Sequence, residues 1–217
     1  MKLLPEILES AEVIQAIRRD IHAHPELCFE EKRTSDVVAQ KLESWGIKIH
    51  RGLGKPGVVG IIEGSLGKGR SIGLRADMDA LPILEKNEVA YASTKPGIMH
   101  ACGHDVHITS MVGTARRLVA MKSQWKGTLM FIVQPAEEGV RGAKAMMDDG
   151  LYQRFGKPDY ALAFHVAAEL ETGKVSASEG IQYSSSDSLD IRVPGIGTHG
   201  AAPHLGRDPV YIASQVV

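Results

Sequence analysis

The sequence contains little cysteine, few aromatic residues and no excess of either charge. Two of its 217 residues are cysteines and 5% are aromatic, and 25 lysines and arginines nearly balance 26 aspartates and glutamates. Two cysteines are too few for the disulfide framework of a small secreted protein, so a reducing, cytoplasmic setting is predicted. A formal net charge of −1 argues against a dedicated nucleic-acid-binding protein, and no basic run contradicts that.

Long apolar runs are also missing. No stretch approaches the roughly 18 uninterrupted apolar residues of a membrane-spanning helix, and Pro5 and Glu6 interrupt the apolar core that a signal peptide needs. We therefore expect neither a membrane partner nor secretion through a signal peptide. The 43% of hydrophobic residues is ordinary for a globular protein, and the length allows one large domain, or one domain and part of another.

The most informative stretch is MHACGHDVH at 99–107, which places Cys102 and His104 on either side of a glycine. Thiolate and imidazole hold zinc-like ions at short distances, and the glycine allows the tight turn that aims both inward. A helix is predicted over 105–121, and its dipole favours a thiolate at this end, which lowers the pKa of a cysteine. The alternative is that the histidines cap that helix while Cys102 packs as a small apolar side chain.

Acidic residues follow two predicted strands. Asp77 and Asp79 come at the end of the first strand. Glu137 and Glu138 come shortly after the second. In an α/β sheet the residues past the carboxyl ends of strands line the ligand crevice. Adjacent glutamates can serve one site only where the backbone bends, which the flanking proline and glycine allow. One glutamate would then bind a metal while its neighbour acts as a general base. For the aspartates, the alternative is a simple Asx turn before Pro82.

A histidine closes a third predicted strand. His165 lies near the end of an apolar strand predicted over 160–166. An isolated histidine in such a strand is more often a satisfied core residue than a ligand. Here it is one of several polar residues at strand ends, so we include it in the predicted site.

Helices and strands alternate along most of the chain, which predicts the α/β class. Amphipathic helices are predicted over 7–23 and 34–45 from apolar residues at steps of three and four. The pattern changes near 184, where the alternating residues 187–193 predict a strand that is exposed on one face. We therefore predict a domain boundary between 185 and 186.

Five motifs together resemble the di-metal amidohydrolases, a family that includes hippurate hydrolase, auxin-amino-acid conjugate hydrolases and N-acyl-amino-acid deacylases. The motifs follow the order and approximate spacing of that family: LRADMDALP at 74–82, MHACGHDVH at 99–107, QPAEEG at 134–139, FHV at 164–166 and GTHGAAPH at 197–204. The resemblance spans nearly the whole chain. It implies a zinc-peptidase-like catalytic domain with a mixed sheet, followed by the start of an α+β lid or dimerisation domain.

The resemblance also implies roles for particular residues. Four positions correspond to metal ligands: Cys102, His104, Glu138 and His165, with the cysteine where related enzymes place a bridging aspartate. Three correspond to catalytic or supporting residues: Glu137 as the general base, Asp79 as the support of the metal centre, and His199 as the lid histidine that stabilises the oxyanion, often from the partner subunit. Four more are candidates for supporting or structural roles: Asp77, His100, His107 and His204.

By resemblance, the enzyme hydrolyses the amide bond of N-acyl amino acids with two divalent metal ions, either zinc or manganese, with cobalt or nickel as further candidates. It would form a homodimer or a higher homo-oligomer through the lid. Family members are much longer, so we expect a catalytic domain at 1–185, a truncated lid at 186–217, and a final metal-binding histidine beyond this sequence. The alternatives are a mono-metal aminopeptidase and a catalytically incompetent fragment of an amidohydrolase.

Overall fold

The computed structural model describes residues 4–139, 141–181, 184, 185, 187 and 189–216. The chain divides into two compact units, Met1–Lys174 and Val175–Val217. The predicted boundary between 185 and 186 and the lid assignment stay predictions. Among the described residues, no helix has both the length and the apolar character that crossing a bilayer requires.

Helices and strands of the first unit follow one another along the described residues. In order they are α1 (Pro5–Ala23), α2 (Lys32–Ser44), β1 (Lys48–Leu53), β2 (Gly57–Glu63), β3 (Ser71–Asp77), α3 (His104–Ala120), a 3-10 turn (Lys122–Gln124), β4 (Thr128–Gln134), α4 (Gly142–Asp148), α5 (Leu151–Phe155) and β5 (Tyr160–Leu162).

The strands form one mixed sheet with the order β1-β2-β4-β3-β5. β2 runs antiparallel to both β1 and β4, whereas β3 runs parallel to both β4 and β5. The predicted α/β class with a mixed sheet is confirmed. β4 lies at the centre and is buried from Leu129 to Gln134, which explains why its sequence is a continuous apolar run.

Both faces of β4 contribute to the core. Leu129, Phe131 and Val133 belong to a cluster with residues of α1, α2 and α3. Met130 and Ile132 belong to a second cluster with residues of α4 and α5. Side chains alternate between the faces of a strand, so helices cover the sheet on both sides. Full burial of each such side chain contributes roughly 1.5–3 kcal/mol.

The predicted helices α1, α2 and α3 are confirmed to within two residues at each end. β1 and α5 were not predicted, because neither has a pronounced periodic pattern. The strand predicted over 160–166 is wrong in extent, since pairing with β3 stops at Leu162.

The second unit contains little regular structure among its described residues. An isolated antiparallel bridge joins Ile196 to Arg207, and a 3-10 turn (Pro203–Leu205) and a short helix, α6 (Pro209–Ser214), follow in that part of the chain. The predicted start of a helix near Pro209 is confirmed. Asp208 caps it by accepting hydrogen bonds from two backbone N–H groups of its first turn.

The strand predicted over 187–193 is wrong for the described residues of that range, which are 187 and 189–193. Ser188 lies outside the described residues. Leu189 is 82% exposed. An alternating sequence forms a strand only when a neighbouring strand supplies hydrogen bonds and a surface to pack against.

Candidate metal centre

The parallel pairing of β3 and β4 brings two acidic motifs to one edge of the sheet. Asp77 lies opposite Gln134 in the register, so the two strands end side by side. The loop after β3 carries Asp79, and the loop after β4 carries Glu137 and Glu138. The carboxyl ends of these strands thus supply the acidic half of the site, as predicted from the rule for α/β sheets.

Three groups of side chains hold potential metal-ligand atoms within 4.8 Å of one another, and His104 belongs to all three. The groups are Cys102 with His104 and His165, Asp77 with His104 and His107, and His104 with Glu137 and Glu138. The structure therefore brings together all four predicted metal ligands and the predicted general base. Their roles remain predictions.

His104 is fully buried at the start of α3, and its two ring nitrogens have different surroundings. Nδ1 donates a hydrogen bond to the backbone carbonyl of Asp79 at 2.8 Å. Nε2 lies 3.8 Å from a carboxylate oxygen of Glu137 and 3.9 Å from one of Glu138. An imidazole that donates one N–H to a carbonyl presents the lone pair of its other nitrogen, as metal-binding histidines do.

The charges around His104 favour a positive ring. Burial by itself lowers the pKa of His104, but hydrogen bonding to Asp79 and the negative charges of Asp77 and Asp79 outweigh burial and raise that pKa above its ordinary value. A divalent cation at Nε2 would be stabilised by the same negative charges that stabilise a proton on the ring.

Asp79 links the two strand-end loops. Its Oδ2 accepts hydrogen bonds from the backbone N–H of Glu138 at 2.9 Å and from the thiol of Cys28 at 3.2 Å. Burial by itself raises the pKa of Asp79, but hydrogen bonds from His104 and from the backbone of the glutamate loop hold that pKa well below its usual range. Asp79 is therefore ionised and accepts a hydrogen bond that holds the backbone of Glu138 in place. Its supporting role at the metal centre stays a prediction.

Cys102 and His165 meet at the more open side of the site. The thiol of Cys102 lies 3.3 Å from Nε2 of His165, whose Nδ1 donates to the carbonyl of Val166 at 2.6 Å. Gly103 allows the turn between Cys102 and α3, because its φ is 89° and a Cβ there would lie 2.5 Å from a methyl group of Val166. The prediction of a tight turn at this glycine is confirmed.

From the sequence, the helix dipole was expected to lower the pKa of Cys102. That expectation is wrong when only the groups of the protein itself act on the thiol. Burial, and then the negative charges of Glu138 and Glu137, raise the pKa of Cys102 to about 12. Two carboxylates at short range outweigh the partial charge of a helix N-terminus. A thiolate at this position thus requires a compensating cation.

His107 joins β3 to the segment that carries His165. Its Nδ1 donates to Oδ1 of Asp77 at 2.7 Å, and its Nε2 accepts the backbone N–H of Val166 at 3.0 Å. Both ring nitrogens are therefore used, which favours the predicted structural role over metal binding. Beyond the end of β5, the backbone N–H of Val166 therefore bonds to a side chain rather than to a strand.

The two glutamates share one site because the backbone bends, as the sequence predicted. Ala136 has a φ of 49° and Gly139 a φ of 76°, both in the left-handed region. The side chain of Glu137 is 42% exposed, and that of Glu138 is 25% exposed. The more exposed glutamate is better placed to exchange protons with a substrate, and the more enclosed one to bind a metal.

Two residues near the site were not predicted from the sequence. Glu31 is fully buried, and its Oε1 accepts the N–H of Ala136 at 2.7 Å. Burial raises the pKa of Glu31 to about 7. Burial, together with the hydrogen bond to Asp79, raises the pKa of Cys28 to about 12, so this thiol is protonated and donates. The only signal available was their position between a histidine-rich helix end and the next helix.

A buried polar network lies behind the site, at the end of α1. His22 contacts Asp105 through Nδ1 at 2.7 Å and Glu85 through Nε2 at 3.1 Å. Burial lowers the pKa of the neighbouring His100 to about 4, and neither of its ring nitrogens has a hydrogen-bond partner among the described residues. His100 is thus neutral. The network fixes the N-terminus of α3, on which His104 lies.

The remaining predicted residues, His199 and His204, belong to the second unit. Both are exposed there, and Nδ1 of His199 accepts the N–H of Ala201 at 3.1 Å. The predicted oxyanion role of His199 stays a prediction.

The residues of the site fit a metal ion on chemical grounds. Nε2 of His104 and Oε1 of Glu138 are buried, lack hydrogen-bond partners among the described residues, and lie 3.9 Å apart. Two unpaired acceptors at this separation repel each other unless a proton or a cation lies between them. Thiol, imidazole and carboxylate are also the ligand types that zinc prefers.

Comparison with known proteins agrees with this geometry. Residues 73–212 match the sequence model of peptidase family M20/M25/M40. The chain is 44% identical to hippurate hydrolase of Campylobacter jejuni over 100% of this chain and 56% of the relative. It is 39% identical to thermostable carboxypeptidase 1 of Saccharolobus solfataricus over 99% of this chain and 54% of the relative. The chain thus spans about half the length of these curated relatives.

This chain is also similar to a solved structure from the same family. The YXEP protein of Bacillus subtilis, described as a dinuclear metal binding peptidase from the M20 family, is 40% identical with a TM-score of 0.64. The match covers 67% of this chain and 41% of that one.

Proposed function

Because the chain belongs to peptidase family M20/M25/M40, we propose that the protein hydrolyses the amide bond of N-acyl amino acids of the hippurate type, with divalent metal ions as cofactors. The observation that carries the proposal is the bend at the end of β4, where Glu137 and Glu138 both approach Nε2 of the buried His104. One carboxylate is then available for a metal and the other for proton transfer.

Four residues would hold the metal in this proposal: Cys102, His104, Glu138 and His165. Two ions are proposed, since a dinuclear site is described for the YXEP protein. Zinc or manganese is the proposed metal, with cobalt or nickel as alternatives, because thiolate and imidazole favour zinc-like ions and carboxylates also suit manganese. Divalent ions at such a site supply Lewis-acid chemistry, which acidifies water and polarises a carbonyl.

Glu137 would carry the proton in this reaction. Its half-exposed carboxylate takes a proton from the attacking water while the water oxygen adds to the amide carbonyl. The protonated Glu137 then gives that proton to the nitrogen of the leaving amino acid as the carbon–nitrogen bond breaks. The acid product keeps the water oxygen, and Glu137 returns to its ionised form.

Other residues would support these steps. Asp79 holds the N–H of Glu138 and faces the ring of His104, so it orients one glutamate and one imidazole together. His199 is proposed to stabilise the oxyanion that forms on the substrate carbonyl. We also propose a cytoplasmic protein that forms a homodimer or higher homo-oligomer through a lid domain that begins near 186.

A second candidate function is cleavage of the last residue of a peptide. It is favoured by the 39% identity to a relative named thermostable carboxypeptidase. Both reactions release an amino acid with a free carboxylate, so the same residues would serve either one. The two differ in the group on the other side of the amide.

The test is a substrate panel assayed on the purified protein with added Mn²⁺ or Zn²⁺. We expect hydrolysis of N-benzoylglycine and of other N-acyl amino acids. Turnover confined to N-blocked dipeptides would favour the carboxypeptidase, and turnover confined to unblocked peptides would favour an aminopeptidase. Metal binding without any turnover would show that the chain is catalytically incompetent.

A further inference from the structure

The loop that carries the two glutamates depends on an unusual backbone conformation. Ala136 is fully buried and has a φ of 49°. Residues with a Cβ seldom adopt this region, because the Cβ crowds the following carbonyl oxygen. Such a conformation persists only where surrounding contacts determine it.

The contacts of Ala136 show what holds it. Its carbonyl accepts the N–H of Gly142 at 2.9 Å, within the same loop. Its N–H instead donates to Oε1 of Glu31, at 2.7 Å and 105 residues earlier in the chain. Without Glu31 this buried N–H would lose the partner that the structure gives it.

The carboxylate of Glu31 is not used by its own helix. Glu31 stands at the N-cap of α2, yet its side chain makes no capping hydrogen bond there. Glu26 performs that task, since its carboxylate accepts the backbone N–H groups of Arg33 and Thr34 at 3.0 and 2.9 Å. The side chain of Glu31 is therefore directed to the glutamate loop rather than to helix capping.

The segment before α2 is itself attached to the site. The carbonyl of Glu26 accepts the N–H of Ala80 at 2.8 Å, next to Asp79. Cys28 donates to Asp79 and also lies 3.7 Å from the carbonyl of Glu138. The segment that precedes Glu31 thus contacts both strand-end loops. These contacts hold the carboxylate of Glu31 in place.

We propose that Glu31 is a positioning residue, which fixes Ala136 in its left-handed conformation and thereby directs Glu137 and Glu138 toward His104. The roles of those two glutamates rest on the proposed function, whereas the effect of Glu31 on their loop does not. Either protonation state of Glu31 keeps an acceptor oxygen, so the contact operates on both sides of neutral pH.

The experiment compares three variants of Glu31 in the full chain. Glu31→Met removes the acceptor at similar volume, Glu31→Gln keeps an acceptor oxygen, and Glu31→Asp withdraws the carboxylate by one methylene. Glu30→Met changes the exposed neighbour and is the control. Amide hydrogen exchange of Ala136 and zinc affinity, from competition with a chromophoric chelator, are measured for each protein.

We expect Glu31→Met to exchange the Ala136 amide at least about tenfold faster and to bind zinc about tenfold more weakly, as loss of one hydrogen bond to a charged group implies. The amide of Ile132, in the middle of β4, should keep its protection. Glu31→Gln should restore both quantities to near wild type, and the Glu30 control should leave both unchanged. A residue that only fills space would give no such rescue.

The proposal is overturned if Glu31→Met leaves both quantities at wild-type values, or if Glu31→Gln is as impaired as Glu31→Met. If Glu31→Met does not fold, Glu31→Asp decides, since it should show the same changes to a smaller degree and is otherwise evidence against the proposal. A wild type that binds zinc but hydrolyses no amide would reject the proposed function, while the response of Ala136 would still judge the role of Glu31.

Discussion

Nδ1 of His107 lies 2.7 Å from Oδ1 of Asp77, and both side chains are almost completely buried. Since the other ring nitrogen of His107 accepts the N–H of Val166, one imidazole joins the end of β3 to the segment that carries His165. A histidine that could be taken for a ligand from its position in the motif thus links two parts of the site.

Loss of the His107 side chain should weaken both the fold and metal binding. His107→Leu should lower the free energy of unfolding by roughly 2 kcal/mol, because it removes a hydrogen bond to a charged group from buried Asp77. Zinc affinity should also fall, since the segment of His165 loses an anchor. Urea denaturation and zinc titration measure the two effects, with partly exposed His24→Gln as the control. Loss of zinc without loss of stability would instead identify His107 as a ligand.

The two adjacent glutamates should respond differently to the same change. Glu137→Gln should lower turnover by roughly 10²–10⁴-fold while metal content stays near wild type, because a base is lost but its shape is kept. Glu138→Gln should lose metal, because the amide is a poorer ligand than the carboxylate. Metal analysis beside the hydrolysis assay measures both. The reverse pattern would exchange the two assignments.

Stability should depend on the charge of His22 at alkaline pH. The hydrogen bond that His22 donates to the carboxylate of Asp105, partly offset by burial, raises the pKa of His22 above 6.5. A raised pKa in the folded state contributes stability that is complete below 6.5 and is lost as pH rises through the raised value.

His22→Gln should therefore cost the most stability at acidic pH and progressively less at alkaline pH. Urea midpoints of variant and wild type at pH 5.5 and pH 9, conditions chosen on either side of the ordinary histidine pKa, give the comparison. His24→Gln serves again as control, since that histidine is partly exposed. An equal cost at both values would mean that the charge of His22 does not contribute.

Ionisation of Glu31 should make stability depend on pH, and the Glu31→Gln variant should remove that dependence. Burial raises the pKa of Glu31 from 4.5 to about 7, so its contribution to stability is complete below 4.5 and is lost as pH rises through about 7. Glu31→Gln keeps the acceptor but cannot ionise. Relative to wild type it should gain on the order of 2 kcal/mol between acidic and mildly alkaline pH. A constant difference across that range would contradict the raised pKa.

The sequence predicted the acidic half of the site because the rule for strand ends needs only local information. β3 and β4 are apolar runs followed by carboxylates, and their parallel pairing places Asp77 and the loop of Glu138 together. The bend at the two glutamates also followed from local chemistry, namely a proline before them and a glycine after them. These features depend on neighbours in sequence.

Glu31 and Cys28 could not be predicted in the same way. Their partners lie 105 and 51 residues away in the chain, and neither contact leaves a periodic pattern. The pKa of Cys102 was misjudged for a related reason, since the carboxylates that raise it come from a different loop. The strand predicted over 187–193 is wrong in its described residues, because alternation reveals which face is apolar but not whether a neighbouring strand exists.

The register between Asp77 and Gln134 has a consequence for how such a protein can change over evolution or in the laboratory. The loops after β3 and β4, which carry the candidate site residues, begin at strand ends that are one strand spacing apart, about 4.8 Å. Insertions or substitutions in either loop can therefore alter which substrates bind at the site, while the distance between the ends of β3 and β4 stays constant. A library that varies the loop after β3 separately from the loop after β4 should yield altered substrate preferences without loss of the fold.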